Sequence, residues 1–123
     1  MYEPGEVEVA VEDGVSIVRL LGEHDLSTQQ LLASGLARLI DGSHPLVFDV
    51  ASAKFIDTTV MTAIRETQIA LAQKGVPVAL VIPEPPPRRV LTLIEISDLQ
   101  DAVVIASSAD DARRKLRGPA GWA

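Results

Sequence analysis

Leu46-Val47-Phe48-Asp49-Val50-Ala51-Ser52-Ala53-Lys54-Phe55-Ile56-Asp57-Thr58-Thr59 decides the fold. Its first five residues are an almost unbroken apolar run, as in a strand covered on both faces. Its last three put an acid and two hydroxyls directly before a helical pattern that reaches Lys74. Val60, Ile64, Thr67 and Leu71 share one face of that pattern, and Gly75 closes it. A doubly covered strand feeding an amphipathic helix is the start of a βαβ unit. Its second strand follows at once, Val76 to Ile82, with Pro77 near the beginning, where a missing N–H is tolerated.

The alternation continues in both directions. Towards the N-terminus, Val7, Val9 and Val11 interleave with Glu6, Glu8 and Glu12, the period of a strand with one wet face. Asp13-Gly14 supplies a hairpin turn, Val15 to Leu21 resumes as a more apolar strand nearer the sheet centre, and Gly22 ends it. Ser27 or Thr28 caps a helix to about Ile40, with Leu32, Leu36, Leu39 and Ile40 at helical spacing and Asp41-Gly42 as its stop. Towards the C-terminus, Pro83 to Pro87 is an extended connector into a helix from Pro87 to Ile96. Its apolar positions are Val90, Leu91, Leu93 and Ile94. Ala102 to Ala106 reads as a last strand. Ser108 then caps a helix over Ala109 to Leu116, with Asp110 and Asp111 at its positive end and Arg113, Arg114 and Lys115 at its negative end.

The order β-β-α-β-α-β-α-β-α predicts an α/β fold: one domain with a mixed, mostly parallel five-stranded sheet and about four helices. Residues 1–117 are expected to form it, with 118–123 as a flexible C-terminal tail. Leu20, Val47, Phe48, Val50, Leu80 and Ile82 are expected in the core, packed by Leu36, Ile64 and Leu91.

Composition narrows the function. The 123 residues are 47% hydrophobic and carry a net charge of −6, the wrong sign for a nucleic-acid backbone. Four aromatics leave almost no platform for stacking bases. With no cysteine and two histidines, thiolate chemistry drops out and a conventional zinc site is disfavoured. No run reaches the length of a membrane span, and Met1 to Glu12 has neither the basic residue nor the apolar stretch of a signal peptide. The expectation is a cytoplasmic binding protein, not an enzyme, with no catalytic residue, metal or cofactor and with neither nucleic acid nor membrane as partner. His24-Asp25 lacks the glycines of a nucleophile elbow nearby, and His24 reads as a loop residue. Pro83 to Arg88 is a strand-to-helix connector, and Arg88 and Arg89 are either a solvated first turn or a phosphate contact.

The segment Asp57-Thr58-Thr59 carries the functional signal. Asp57 or Thr58 caps the helix that follows, worth about 1 kcal/mol. A hydroxyl at that end also sits where the helix dipole and free N–H groups favour added negative charge.

Three segments together resemble the STAS domain family of bacterial anti-sigma-factor antagonists and sulphate-transporter tails. Val18-Arg19-Leu20-Leu21-Gly22-Glu23-His24-Asp25-Leu26-Ser27-Thr28 is similar to the family's strand and Gly-Glu-x-Asp-Leu opening. Leu46 to Val50 through Phe55-Ile56-Asp57-Thr58-Thr59 resembles its central strand and Phe-Ile-Asp-Ser-Ser phosphorylation segment. Val81-Ile82-Pro83 through Arg88-Arg89-Val90-Leu91 resembles a later strand, loop and helix.

The resemblance implies an antagonist that binds an anti-sigma factor, itself a GHKL-type serine/threonine kinase, and is inactivated by phosphorylation; a phosphatase resets it. It places the phosphate on Thr58 ahead of Thr59. The partner face it implies comprises Glu23, Asp25, Ser27, Asp57, Thr58, Thr59, Met61 and Thr62, with Met61 read as an exposed, adaptable contact off the Val60/Ile64 stripe. The resemblance also leaves room for a weak homodimer. Val60, Met61 and Thr62 depart from the family's usual Gly-Leu-Gly, and Glu95 stands where a helix-ending glycine is common. Threonine as acceptor is similar to the scaffold-type STAS proteins of stress-sensing complexes. A scaffold subunit and a nucleotide-binding STAS module are therefore the alternative readings.

Overall fold

Asp13 and Gly14 both take positive φ, 52° and 78°, the geometry of a two-residue turn whose twist matches its flanking strands. In the computed structural model, which describes residues 3–24, 28–40 and 44–117, this turn joins β1 (Glu6–Glu12) to β2 (Val15–His24) in antiparallel register, Val9 opposite Val18. The chain continues through α1 (Gln29–Ile40), β3 (Leu46–Asp49), β4 (Ala53–Ile56), α2 (Thr58–Ala72), β5 (Val78–Val81), α3 (Arg88–Ile96), β6 (Val104–Ala106) and α4 (Ala109–Arg117). The sheet runs β1-β2-β3-β5-β6, parallel except for the hairpin, and β4 pairs with the far end of β2. The mixed α/β architecture is the expected one. The Asp41-Gly42 stop, the Ser27 cap and the tail at 118–123 lie outside the described residues.

Two expectations about the sheet need correction. It has six strands among the described residues, not five, because Ala53–Ile56 pairs in parallel with Gly22–His24. Gly22 does not end its strand. It takes φ 75° at a break in register, and a Cβ there would lie 2.3 Å from the Pro4 carbonyl oxygen. Glycine here bends the strand past Pro4 and lets it run on to His24.

Both faces of the sheet are covered. Val18, Leu20, Phe48 and Leu80 belong to a buried cluster with Leu32 and Leu36 of α1, Ile64 and Leu71 of α2, and Leu93 and Ile94 of α3. Ile17, Val47, Ala79 and Val81 face the other way, against Ala112 and Leu116 of α4. Every core residue expected from the strands is buried, as are Leu36 and Ile64. Leu91 is not: it is 47% exposed. Val90, Leu93 and Ile94 form the inward stripe of α3, and at 100° per residue Leu91 falls about a quarter-turn or more off its centre.

The helix ends follow local chemistry. After α3, Asp98 adopts φ 56°, its N–H bonds Glu95 O at 3.1 Å, and Leu99 N–H bonds Ile94 O at 3.1 Å. This is a left-handed closing turn, so the position that demands glycine-like geometry is Asp98, not Glu95. Leu99, fully buried, then plugs the core. At the start of α4, Ser108 Oγ accepts from Asp111 N–H at 3.0 Å. The Asp111 carboxyl is held below its ordinary range by the Ser107 backbone N–H and by Lys115.

Candidate functional site

Strands β2, β3 and β5 run parallel, so their carboxyl ends lie along one edge of the sheet, and α1, α2 and α3 each begin from it. That edge is where ligands of open α/β sheets bind, since free helix N–H groups gather there. At its centre, Asp57 caps α2 with extended backbone (φ −126°, ψ −172°), and its Oδ1 accepts from Thr59 N–H at 2.9 Å. Of the two capping candidates, the structure therefore selects Asp57. Thr58 becomes the first helical residue, side chain exposed, while Thr59 is half-buried.

A cleft of about 330 Å³ opens between the first turns of α1 and α2. Thr58, Thr59, Thr62 and Glu66 line it from α2, and Thr28, Gln29, Leu32 and Ala33 from the α1 side. It is a hydroxyl-rich mouth around the Thr58 side chain. Thr28 and Gln29 are not legible as site residues, because only the packing of α1 on α2 brings them opposite Thr58, and Glu66 lies about two turns further along α2.

The expected partner face divides. Asp57, Thr58, Thr59 and Thr62 come together here. Glu23 sits aside, its Oε2 accepting from Glu3 N–H at 3.0 Å and thereby tethering the N-terminal segment. Asp25 and Ser27 lie outside the described residues. Met61 is a correction: it has no exposed surface and belongs to the main core cluster. Because α2 packs against both the sheet and α1, its buried face widens beyond the Val60/Ile64 stripe to take in Met61.

His24 is a second correction. It is a fully buried end residue of β2, not a loop residue. Its Nε2 lies 3.1 Å from Glu6 O and 2.9 Å from Leu21 O, so two carbonyls require Nε2 to carry the proton. Nδ1 meets the Thr28 hydroxyl at 3.2 Å. The ring thus ties the β1–β2 hairpin to the first turn of α1, on the cleft's rim.

Arg89, in the first turn of α3, reaches across to the strand before Thr58. Its Nη2 donates to Ile56 O at 3.3 Å, and its guanidinium lies 4.6 Å from the ring centroid of Phe55, itself 38% exposed. It is anchored rather than merely solvated.

Comparison with known proteins places this geometry. A family model described as the STAS domain matches residues 6–112. No curated protein sequence matches the chain. Among solved structures, the chain is similar to an anti-sigma factor antagonist from Mycobacterium paratuberculosis, at 24% identity and a TM-score of 0.78, over 95% of this chain and 99% of that one. It is similar to RsbS of Moorella thermoacetica at 22% identity and a TM-score of 0.76, over 93% and 97% of the two chains. It is also similar to the Bacillus cell fate determinant SpoIIAA in its phosphorylated form, at 15% identity and a TM-score of 0.68, over 92% and 99%. These likenesses establish the fold. No helix among the described residues is long and apolar enough to cross a membrane.

Proposed function

The chain belongs to the STAS domain family, and from that premise we propose that it is an anti-sigma-factor antagonist: a protein-binding switch, not an enzyme, released from its partner by phosphorylation at Thr58. The observation that carries this reading is the placement of Thr58: exposed, first in α2 behind the Asp57 cap, and on the rim of the cleft. Two of the similar structures support it by what they are, an anti-sigma factor antagonist and a phosphorylated form of SpoIIAA.

The physics of the switch is local. In its unmodified form the edge presents small hydroxyls beside a carboxylate whose Oδ1 accepts from Thr59 N–H. A partner, of the GHKL kinase type, docks over them in the cytoplasm. Phosphorylation adds a charge of roughly −1.5 to −2 at the positive end of α2, which the helix tolerates. The docked partner, however, would bury that charge next to Asp57. A loss of ~3 kcal/mol weakens binding more than a hundredfold, and a phosphatase reverses it.

The departure from Gly-Leu-Gly is compatible with docking. Val60 and Met61 point into the core, so of the three replaced positions only Thr62 reaches the surface. One feature favours the scaffold alternative, a threonine at the position read as the acceptor; assembly of the purified protein into large particles would select it.

The acceptor is tested by incubating the protein with its cognate kinase and ATP and mapping the modification by mass spectrometry. Phosphate should enter the wild type and Thr59→Val and be absent from Thr58→Val. Incorporation that survives in Thr58→Val overturns the assignment.

A further inference from the structure

We infer that Arg89 is the receptor for the phosphate on Thr58: on modification its guanidinium leaves the Ile56 carbonyl and the Phe55 ring and pairs with the phosphoryl oxygens. This rests on the reading of Thr58 as the modified hydroxyl.

The present contacts of Arg89 are weak ones for a full positive charge. One is a neutral carbonyl at 3.3 Å, longer than an ordinary N–H···O bond, and the other is the face of a partly exposed ring. Among the described residues no carboxylate forms an ion pair with it or with Arg65 and Arg88, whereas Arg19, Arg113 and Arg114 each have at least one. Asp57, the carboxylate that follows Ile56 in the chain, has one oxygen engaged by Thr59 N–H. Arg89 is therefore held beside the switch with its charge unanswered.

Arg89 already touches the residue two positions before Thr58. Ile56 and Thr58 are two residues apart, at most ~7.6 Å between Cα atoms, and a phosphothreonine carries its oxygens outward from the backbone. A side-chain rotation in an exposed arginine is enough to exchange one acceptor for the other. The exchange is downhill, because a bond to an ionised phosphate is roughly twice as strong as one to a neutral carbonyl, and the planar fork of arginine engages two phosphoryl oxygens at once. The consequence extends beyond the phosphate. Phe55 loses the cation that covers its face, so modification of Thr58 also remakes the surface one strand away.

The test installs phosphothreonine at position 58 of the full chain by genetic encoding, so that no kinase is needed. Phosphorus NMR then follows the titration of the phosphate in the wild type, Arg89→Gln and Arg88→Gln. The second ionisation, ordinarily near ~6, should fall lower in the wild type than in Arg89→Gln by about half a pH unit, with Arg88→Gln matching the wild type. The Phe55 ring resonances should move on phosphorylation in the wild type and stay in Arg89→Gln. Equal titration in the wild type and Arg89→Gln, or a shift that follows Arg88 instead, overturns the inference. Failure of a kinase to modify Thr58 would instead strike the switch reading and leave this titration able to judge Arg89.

Discussion

Met61 and Thr62 are chain neighbours with opposite roles. Met61 sits in the cluster that holds Val18, Leu20 and Ile64, while Thr62 lines the mouth of the cleft. Met61→Asp loses the packing of a buried side chain, worth about 2–5 kcal/mol, and adds a desolvated carboxylate, so chemical denaturation should show a severely lowered midpoint or no folded protein. Thr62→Asp should keep its stability within about 0.5 kcal/mol of the wild type and weaken partner binding. A normal midpoint in Met61→Asp would contradict its burial. The same contrast explains what a sequence can show at this scale. The Asp57 cap and the helix start at Thr58 are legible because they are adjacent in the chain. His24 and Arg89 are not, since their carbonyl partners at Glu6 and Ile56 stand 18 and 33 positions away. The burial of Met61 escapes the sequence because a stripe drawn from one helix cannot know how many neighbours that helix has.

Among the elements, β2 is the one whose length matters most to the site. It runs past Gly22 to pair with β4, and so delivers His24 to the α1 turn and, through β4, Ile56 to the start of α2. A Cβ at position 22 would meet the Pro4 carbonyl oxygen at 2.3 Å in a backbone conformation disfavoured for side chains. Gly22→Ala should therefore destabilise the protein by more than about 1 kcal/mol and speed amide exchange at Glu23 and His24 relative to the rest of β2. Unchanged exchange there would contradict the continuous strand. The other elements were largely readable, because each carries its own periodicity and punctuation. β4 was not, because two of its four residues are exposed and its apolar pattern is too short to mark a strand; pairing with β2 alone makes it one.

At the scale of the whole molecule, the sheet is a platform with three helices on one face and α4 on the other, and the open edge belongs to the helix starts. Alternating elements implied parallel strands and the two covered faces, whereas the strand order β1-β2-β3-β5-β6 comes from packing that no local pattern records. The arrangement keeps the candidate site apart from the core. The core lies beneath the edge, so under the proposed function charge added at Thr58 should change what docks without changing what is folded. Titration calorimetry of the cognate kinase-type anti-sigma factor against the unmodified protein and against protein carrying phosphothreonine at position 58, with thermal melts of both forms, tests this most directly. The prediction is a loss of affinity of more than about a hundredfold, with the two melting temperatures within a few degrees of each other; equal affinity of the two forms would contradict it.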